Sequence, residues 1–145
     1  IYSKETALMG TGGAILNALD LIGSEPFLLM SSDIWTNFPF KELKLQHNSS
    51  AHMVLVSPTD NIGDFNLEDG IVNNSNQGER YTYSGISKIN PKIFLNKKIE
   101  PADLWKSFIS PEVDKGLVTG EFFDRVININ YLEDIQMIDD AIFKE

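Results

Sequence analysis

The residues best suited to chemistry lie in the first third of the chain. Gly10-Thr11-Gly12-Gly13 precedes a helical stripe, and the apolar run Pro26-Phe27-Leu28-Leu29-Met30 ends at Ser31-Ser32-Asp33. A glycine-rich turn lets backbone N–H groups approach a ligand closely. The start of a helix adds positive dipole, which suits phosphate or base oxygens. In open α/β sheets, ligands bind outside the carboxyl ends of strands. Asp33 stands at such an end, with no Lys or Arg beside it in sequence. A lone carboxylate there suits Mg²⁺, which takes one or two carboxylates together with substrate phosphates. The alternative is a Gly-rich connection followed by a solvated turn carboxylate. Spacing alone does not separate the two, because short Gly motifs are common.

Composition excludes several other chemistries. The chain has no cysteine, which removes disulfide frameworks, thiolate zinc sites and cysteine nucleophiles. His47 and His52 are five apart, off one helical face, and read as surface histidines rather than a metal pair. Twelve Lys and Arg stand against 21 Asp and Glu, a net charge of -9. Residues 1–73 carry 3 basic and 9 acidic side chains and residues 74–145 carry 9 and 12, so neither half offers a basic patch for nucleic acid. No apolar run reaches the ~20 residues that span a bilayer. No signal-peptide pattern is visible at the start, so a cytoplasmic protein is expected. The length, 145 residues, suits a single domain. The opening on Ile1, as if in mid-strand, leads to the expectation that an upstream segment is missing.

The elements that must position these residues follow from periodicity. Ala14, Ile15, Ala18, Leu19 and Ile22 form one stripe of a helix over 11–22, closed by Gly23. Pro26 to Met30 reads as a strand apolar on both faces, as in a parallel sheet covered by helices. Phe38, Phe40 and Leu43 suggest a short covering element. His52 to Ser57 is a second buried strand, and Asp64 to Glu68 alternates into a hairpin turn at Asp69-Gly70. Arg80 to Ile89 is a strand interrupted by Gly85. Pro101 opens a helix in which Leu104, Trp105, Phe108 and Ile109 read as core. Glu121 to Ile129 reads as a last strand. Asn130 and Glu133 read as a helix cap with its N3 acid, and Leu132, Ile135, Ile138 and Ile142 as a terminal helical stripe. The expected fold is α/β, a Rossmann-like, mixed and mostly parallel sheet covered by helices, with an antiparallel insertion.

Taken together, the segments carry a resemblance that spacing does not. Tyr2-Ser3, Gly10-Thr11-Gly12-Gly13-Ala14-Ile15, Pro26 to Met30, Ser31-Ser32-Asp33-Ile34-Trp35-Thr36, Gly63-Asp64-Phe65 and Tyr83-Ser84-Gly85-Ile86 occur in this order. The set resembles the sugar-1-phosphate nucleotidyltransferase family, within it the N-acetylmuramate-1-phosphate uridylyltransferase and mannose-1-phosphate guanylyltransferase-like branch. The resemblance implies a Rossmann-like nucleotidyltransferase domain over residues 1–145 that lacks its N-terminal triphosphate-binding segment. It implies nucleotidyl transfer, with Mg²⁺, from a nucleoside triphosphate to a sugar 1-phosphate. UTP with N-acetylmuramate 1-phosphate is the first expected pair and GTP with mannose 1-phosphate the second. Gly10, Thr11, Gly12 and Gly13 match the loop that holds the base, and Asp33 the catalytic metal ligand. Gly63 and Asp64 match a sugar-contacting turn, and Ser84 and Gly85 a second sugar contact.

The chain departs from the family pattern in three places. The glycine-rich loop with its Arg, and the Pro-Lys segment after it, are absent. Asn128 stands where the family has a second Asp for Mg²⁺; its amide carbonyl can ligate the ion without charge. Ser31-Ser32 replaces Asn-Gly before the metal Asp; Ser32 can still donate hydrogen bonds, but its Cβ crowds a backbone approach. The competing expectation is a degenerate or truncated member that binds a nucleotide sugar or a partner without catalysis. Trp35 reads as packing beside Phe38. Asp64 also fits a turn carboxylate that caps its own backbone.

Overall fold

The computed structural model describes residues 1–59 and 62–142, without the side chains of residues 137 and 140–142. The helical stripe becomes α1 (Gly10–Ile22), with Ile15 and Leu16 buried and Gly23 accepting the chain reversal at φ +85°. Among the described residues eight strands follow in chain order: β1 (Phe27–Met30), β2 (Ile34–Thr36), β3 (Ala51–Val56), β4 (Phe65–Glu68), β5 (Ile71–Asn73), β6 (Arg80–Ile89), β7 (Val118–Phe122) and β8 (Val126–Asn128). Between β6 and β7 lie a 3₁₀ turn (Pro91–Phe94), a π-helical turn (Trp105–Ile109) and the short α2 (Ser110–Val113). The last element described is α3 (Leu132–Ile142).

Six strands form one sheet in the order β1-β6-β3-β7-β5-β4, and β4 pairs back onto β6, so that the ladder closes on itself. β2 and β8 form a separate ribbon. The sheet is mixed, as the sequence suggests, and helices lie along it. Its pairings are less parallel than expected: β3 with β7 is the single parallel pair among the described residues. The reason is β6, which enters antiparallel between β1 and β3. β1, β3 and β7 therefore still point the same way, with their carboxyl ends on one side of the molecule.

Two apolar layers sandwich the sheet. Alternation puts Ala51, Met53 and Leu55 on one face with Ile15, Phe94, Phe108 and Val118. Val54 and Ile86 face the other way, under Phe38 and Leu43. Phe38 meets Phe123 edge to face at 5.0 Å, so the covering element expected around Phe38 and Leu43 exists.

Several expectations need correction. β1 is not buried on both faces: Leu28 and Met30 are each 47% exposed, because nothing among the described residues covers that side. The strand expected over 121–129 is two strands in different sheets, β7 and β8, separated by residues 123–125. α3 is capped by Asp134 rather than by Asn130 and Glu133; the Asp134 carboxylate accepts from the N–H groups of Asn130 and Tyr131, both at 2.8 Å. The expected buried stripe of α3 holds only at Ile138: Leu132 and Ile135 are exposed, and the side chain of Ile142 lies outside the described set. His52 is buried, not a surface residue. Its Nδ1 lies 2.8 Å from Thr119 Oγ1 and its Nε2 3.2 Å from Glu121 Oε1, tying β3 to β7.

Candidate active site

A cavity of about 440 Å³ opens beyond the carboxyl end of β1. Thr11 borders it from the start of α1, and Leu29 to Asp33 from the end of β1. Ala51 and Met53 of β3 and Tyr83, Gly85 and Ser87 of β6 form its floor. Asp103, Leu104, Trp105 and Ile109 close it from above. The position, outside a strand terminus of an α/β sheet, is where such folds place ligands.

β6 is locally irregular at this site. Between the Met53–Ser87 and Leu55–Tyr83 pairs, β3 advances two residues and β6 four. Gly85, at φ +89°, absorbs the excess. Residues four apart on a regular strand stand about 13 Å apart. Here the bulge brings Tyr83 Oη and Ser87 Oγ to 2.8 Å. Burial pushes the Tyr83 phenol up to about 12, with the Ser87 bond pulling weakly the other way, so the floor offers neutral hydroxyls. The same bulge receives β1: Ser31 N–H donates to the Gly85 carbonyl at 2.9 Å.

The glycine-rich run packs closely against residues 100–108. A Cβ on Gly10, Gly12 or Gly13 would lie 2.8, 2.8 or 2.6 Å from Ala102 O, Phe108 Cε2 and Glu100 O respectively. Gly13 N–H also donates to Ala102 O at 3.1 Å. These glycines let α1 seat against residues 100–103, and Thr11 is the member of the run that faces the cavity.

Ser32 and Asp33 both stand exposed at the mouth. The Asp33 carbonyl accepts from Ile129 N–H at 2.7 Å, and Asn128 lies opposite Ile34 in the β2–β8 ribbon. The ribbon thus brings Asn128 beside the residue after Asp33, although 95 residues separate the two acid-type positions in sequence. One carboxylate and one amide carbonyl are hard oxygen donors of the kind Mg²⁺ takes. Among the described residues no group of three or more His, Cys, Asp or Glu converges to hold a metal. An ion here would complete its shell with substrate oxygens and water.

The expected sugar contacts separate. Gly85 is in the floor. Ser84 is 2% exposed and is not in the cavity wall; its Oγ accepts from Ile86 N–H at 3.2 Å. Gly63, at φ +65°, presses on Arg80, where a Cβ would lie 2.7 Å from Arg80 Cβ. Asp64 borders a neighbouring cavity together with Phe65, Asn74 and Thr82. Tyr83 and Trp105 line both cavities and form the wall between them.

Trp105 is only partly the core residue expected. It packs on Phe65 at a centroid distance of 4.7 Å and turns its remaining surface to the two cavities. Asp103, Tyr83 and Ser87 were not legible as site residues. Asp103 heads the π-helical turn, its Oδ1 accepting from Lys106 N–H at 2.7 Å. A helix-capping Asp two residues after Pro101 was the available signal, and it points to a cap rather than to a cavity.

No family model matches the chain. The chain is 34% identical over 103 residues to the N-acetylmuramate alpha-1-phosphate uridylyltransferase of Neisseria meningitidis serogroup B, a match covering 64% of this chain and 45% of that protein. It is 26% identical over 126 residues to the mannose-1-phosphate guanylyltransferase catalytic subunit beta of Drosophila melanogaster, covering 78% of this chain and 34% of that one. Among solved structures, HddC from Yersinia pseudotuberculosis complexed with GMP-PN superposes with a TM-score of 0.75 at 21% identity, over 95% of this chain and 64% of that one. The inositol-1-phosphate CTP transferase of T. maritima gives 0.68 at 16% identity, over 97% and 64%. The chain therefore spans less than half the length of these curated relatives. The resemblance to sugar-1-phosphate nucleotidyltransferases read from the sequence is borne out, and the fold is the Rossmann-like fold of nucleotidyltransferases. No helix among the described residues is long and apolar enough to cross a membrane.

Proposed function

We propose that this chain acts in Mg²⁺-dependent, cytoplasmic nucleotidyl transfer from a nucleoside triphosphate to a sugar 1-phosphate. The observation that carries the reading is the cavity at the end of β1, which gathers Thr11, Ser32, Asp33 and Gly85 from three distant segments. The substrates are a nucleoside triphosphate and a sugar 1-phosphate. UTP with N-acetylmuramate 1-phosphate and GTP with mannose 1-phosphate are the two pairs that the named relatives support.

In this reading a phosphate oxygen of the sugar 1-phosphate attacks the α-phosphorus of the triphosphate. The bond from that phosphorus to the bridging oxygen breaks, and pyrophosphate leaves with the electron pair. Such chemistry needs positioning and charge neutralisation rather than a covalent nucleophile. Asp33, with Asn128, would hold Mg²⁺, which supplies the positive charge that two phosphorylated substrates need when brought together. Thr11 and the start of α1 face the base. Ser32 donates to phosphate or ribose oxygens, and Gly85 keeps the floor low enough for the sugar.

A second reading has one observation in its favour. Asn128 leaves Asp33 as the single carboxylate of the expected metal pair, which suits a domain that binds a nucleotide sugar without turning it over. The two readings are separated by mass spectrometry of reactions holding the protein, Mg²⁺, each triphosphate and each sugar 1-phosphate. A nucleotide sugar that needs all components supports the enzyme. Binding of the nucleotide sugar with no product in any mixture supports the second reading.

A further inference from the structure

We infer that the cavity selects an uncharged sugar and turns away an acidic one, and that Asp103 and Trp105 set this preference. The inference rests on the nucleotidyltransferase reading and names the sugar class of the same site. It separates the two sugars that the relatives leave open, since N-acetylmuramate bears a carboxylate and mannose bears none.

The walls carry the case. Beyond the mouth, the surface offered to a ligand is apolar at Leu29, Met53 and Trp105, and neutral hydroxyl at Tyr83 and Ser87. No Lys, Arg or His is among the described residues that line the cavity. The carboxylates on its walls are Asp33 and Asp103. Asp33 is assigned to the metal and phosphate end. Asp103 borders the same cavity two residues before Trp105, and we assign the sugar ring to that part of it. Its Oδ1 accepts from Lys106 N–H at 2.7 Å, which fixes the carboxylate at the head of the turn. The bond takes one acceptor site of the carboxylate.

A second carboxylate brought into this space would meet Asp103 with no cation between them. It would lose hydration against the apolar walls and gain no ion pair from the residues that line the cavity. Like charges juxtaposed at an interface discriminate strongly between partners. A neutral sugar meets the opposite situation. Its hydroxyls donate to Asp103 and exchange hydrogen bonds with the Tyr83–Ser87 pair, and its apolar ring face lies against the indole. Trp105 sits in a π-helical turn, an irregularity frequent at functional sites.

The test measures kcat/KM with mannose 1-phosphate, glucose 1-phosphate and N-acetylmuramate 1-phosphate, each with GTP and with UTP, on the parent protein and on Asp103→Asn. Asparagine keeps the acceptor for Lys106 N–H, so the turn is retained while the charge is removed. The expected result is a preference of at least about tenfold for a neutral sugar, narrowed in Asp103→Asn through a gain on the acidic one. Trp105→Leu should raise KM for the neutral sugar more than it lowers kcat. Equal or better use of N-acetylmuramate 1-phosphate by the parent overturns the inference and leaves the nucleotidyltransferase reading standing. So does a ratio unmoved by Asp103→Asn. Absence of product from all six mixtures overturns both.

Discussion

The amide of Ser31 donates to the carbonyl of Gly85 at 2.9 Å, and the place a Cβ on Gly85 would occupy lies 2.7 Å from Ser31 Oγ. The bulge of β6 is thus the seat on which the end of β1, and with it Asp33, is held. Gly85 also has φ +89°, where a side chain is strained. Gly85→Ala should cost about 1–3 kcal/mol of folding stability through strain and the contact with Ser31. Urea unfolding measures this. A change within about 0.5 kcal/mol, the range of surface substitutions, would mean that the bulge does not hold Ser31.

Gly12 offers a contrast within the glycine-rich run. Its missing side chain makes room for the Phe108 ring and the Ala102 carbonyl, while nothing lies within 4 Å of a Cβ on Gly70. Gly12→Ala should therefore destabilise through overpacking by about 1–3 kcal/mol. Gly70→Ala should cost nearer 1 kcal/mol, from its backbone conformation alone. Equal losses in thermal unfolding of the two variants would contradict a packing role for Gly12.

Asn128 invites repair. It lies across the ribbon from Ile34, the residue that follows Asp33, and an uncharged amide is a weaker Mg²⁺ ligand than a carboxylate. Asn128→Asp should lower the Mg²⁺ concentration needed for half-maximal turnover and raise turnover at limiting Mg²⁺. An unchanged or weakened Mg²⁺ response would remove Asn128 from the metal site.

The Tyr83 phenol gives a signature at high pH. Its folded value lies near 12, above its ordinary 10, so the folded chain retains a proton that the unfolded chain gives up. This term is constant below pH 10, and stability falls between pH 10 and 12, by up to about 1.4 kcal/mol per pH unit. In urea unfolding across that window, Tyr83→Phe should show a shallower loss than the parent. Parallel curves would place the phenol in water rather than in the cavity floor.

How much of this was readable from sequence depends on the distance over which each feature is determined. α1, β3 and the hairpin at Asp69-Gly70 follow from local periodicity and turn chemistry, and all three are present. The strand end just before Asp33 was equally legible, and it is where the cavity opens. The strand expected over 121–129 failed because local pattern does not reveal that residues 126–128 leave the main sheet to pair with β2. His52 was misread because its partners, Thr119 and Glu121, lie more than 60 residues away. Tyr83 and Ser87 meet only through the bulge, which no local pattern in the sequence announces. Gly10, Gly12 and Gly13 carried a signal of close approach, and the chain's own backbone at residues 100–103 and the Phe108 ring come close to them.

The central claim is that Asp33 anchors nucleotidyl transfer at the cavity beyond β1. The most direct measurement is pyrophosphate release by the parent protein and by Asp33→Ala, with triphosphate, sugar 1-phosphate and Mg²⁺ present, after circular dichroism has shown that the variant keeps its fold. Asp33 is exposed, so its removal should leave the fold intact. Release by the parent that depends on Mg²⁺ and on both substrates, and falls at least about a hundredfold in Asp33→Ala, is the predicted result. Release that persists undiminished in the variant, or none from the parent under any pairing, would contradict it.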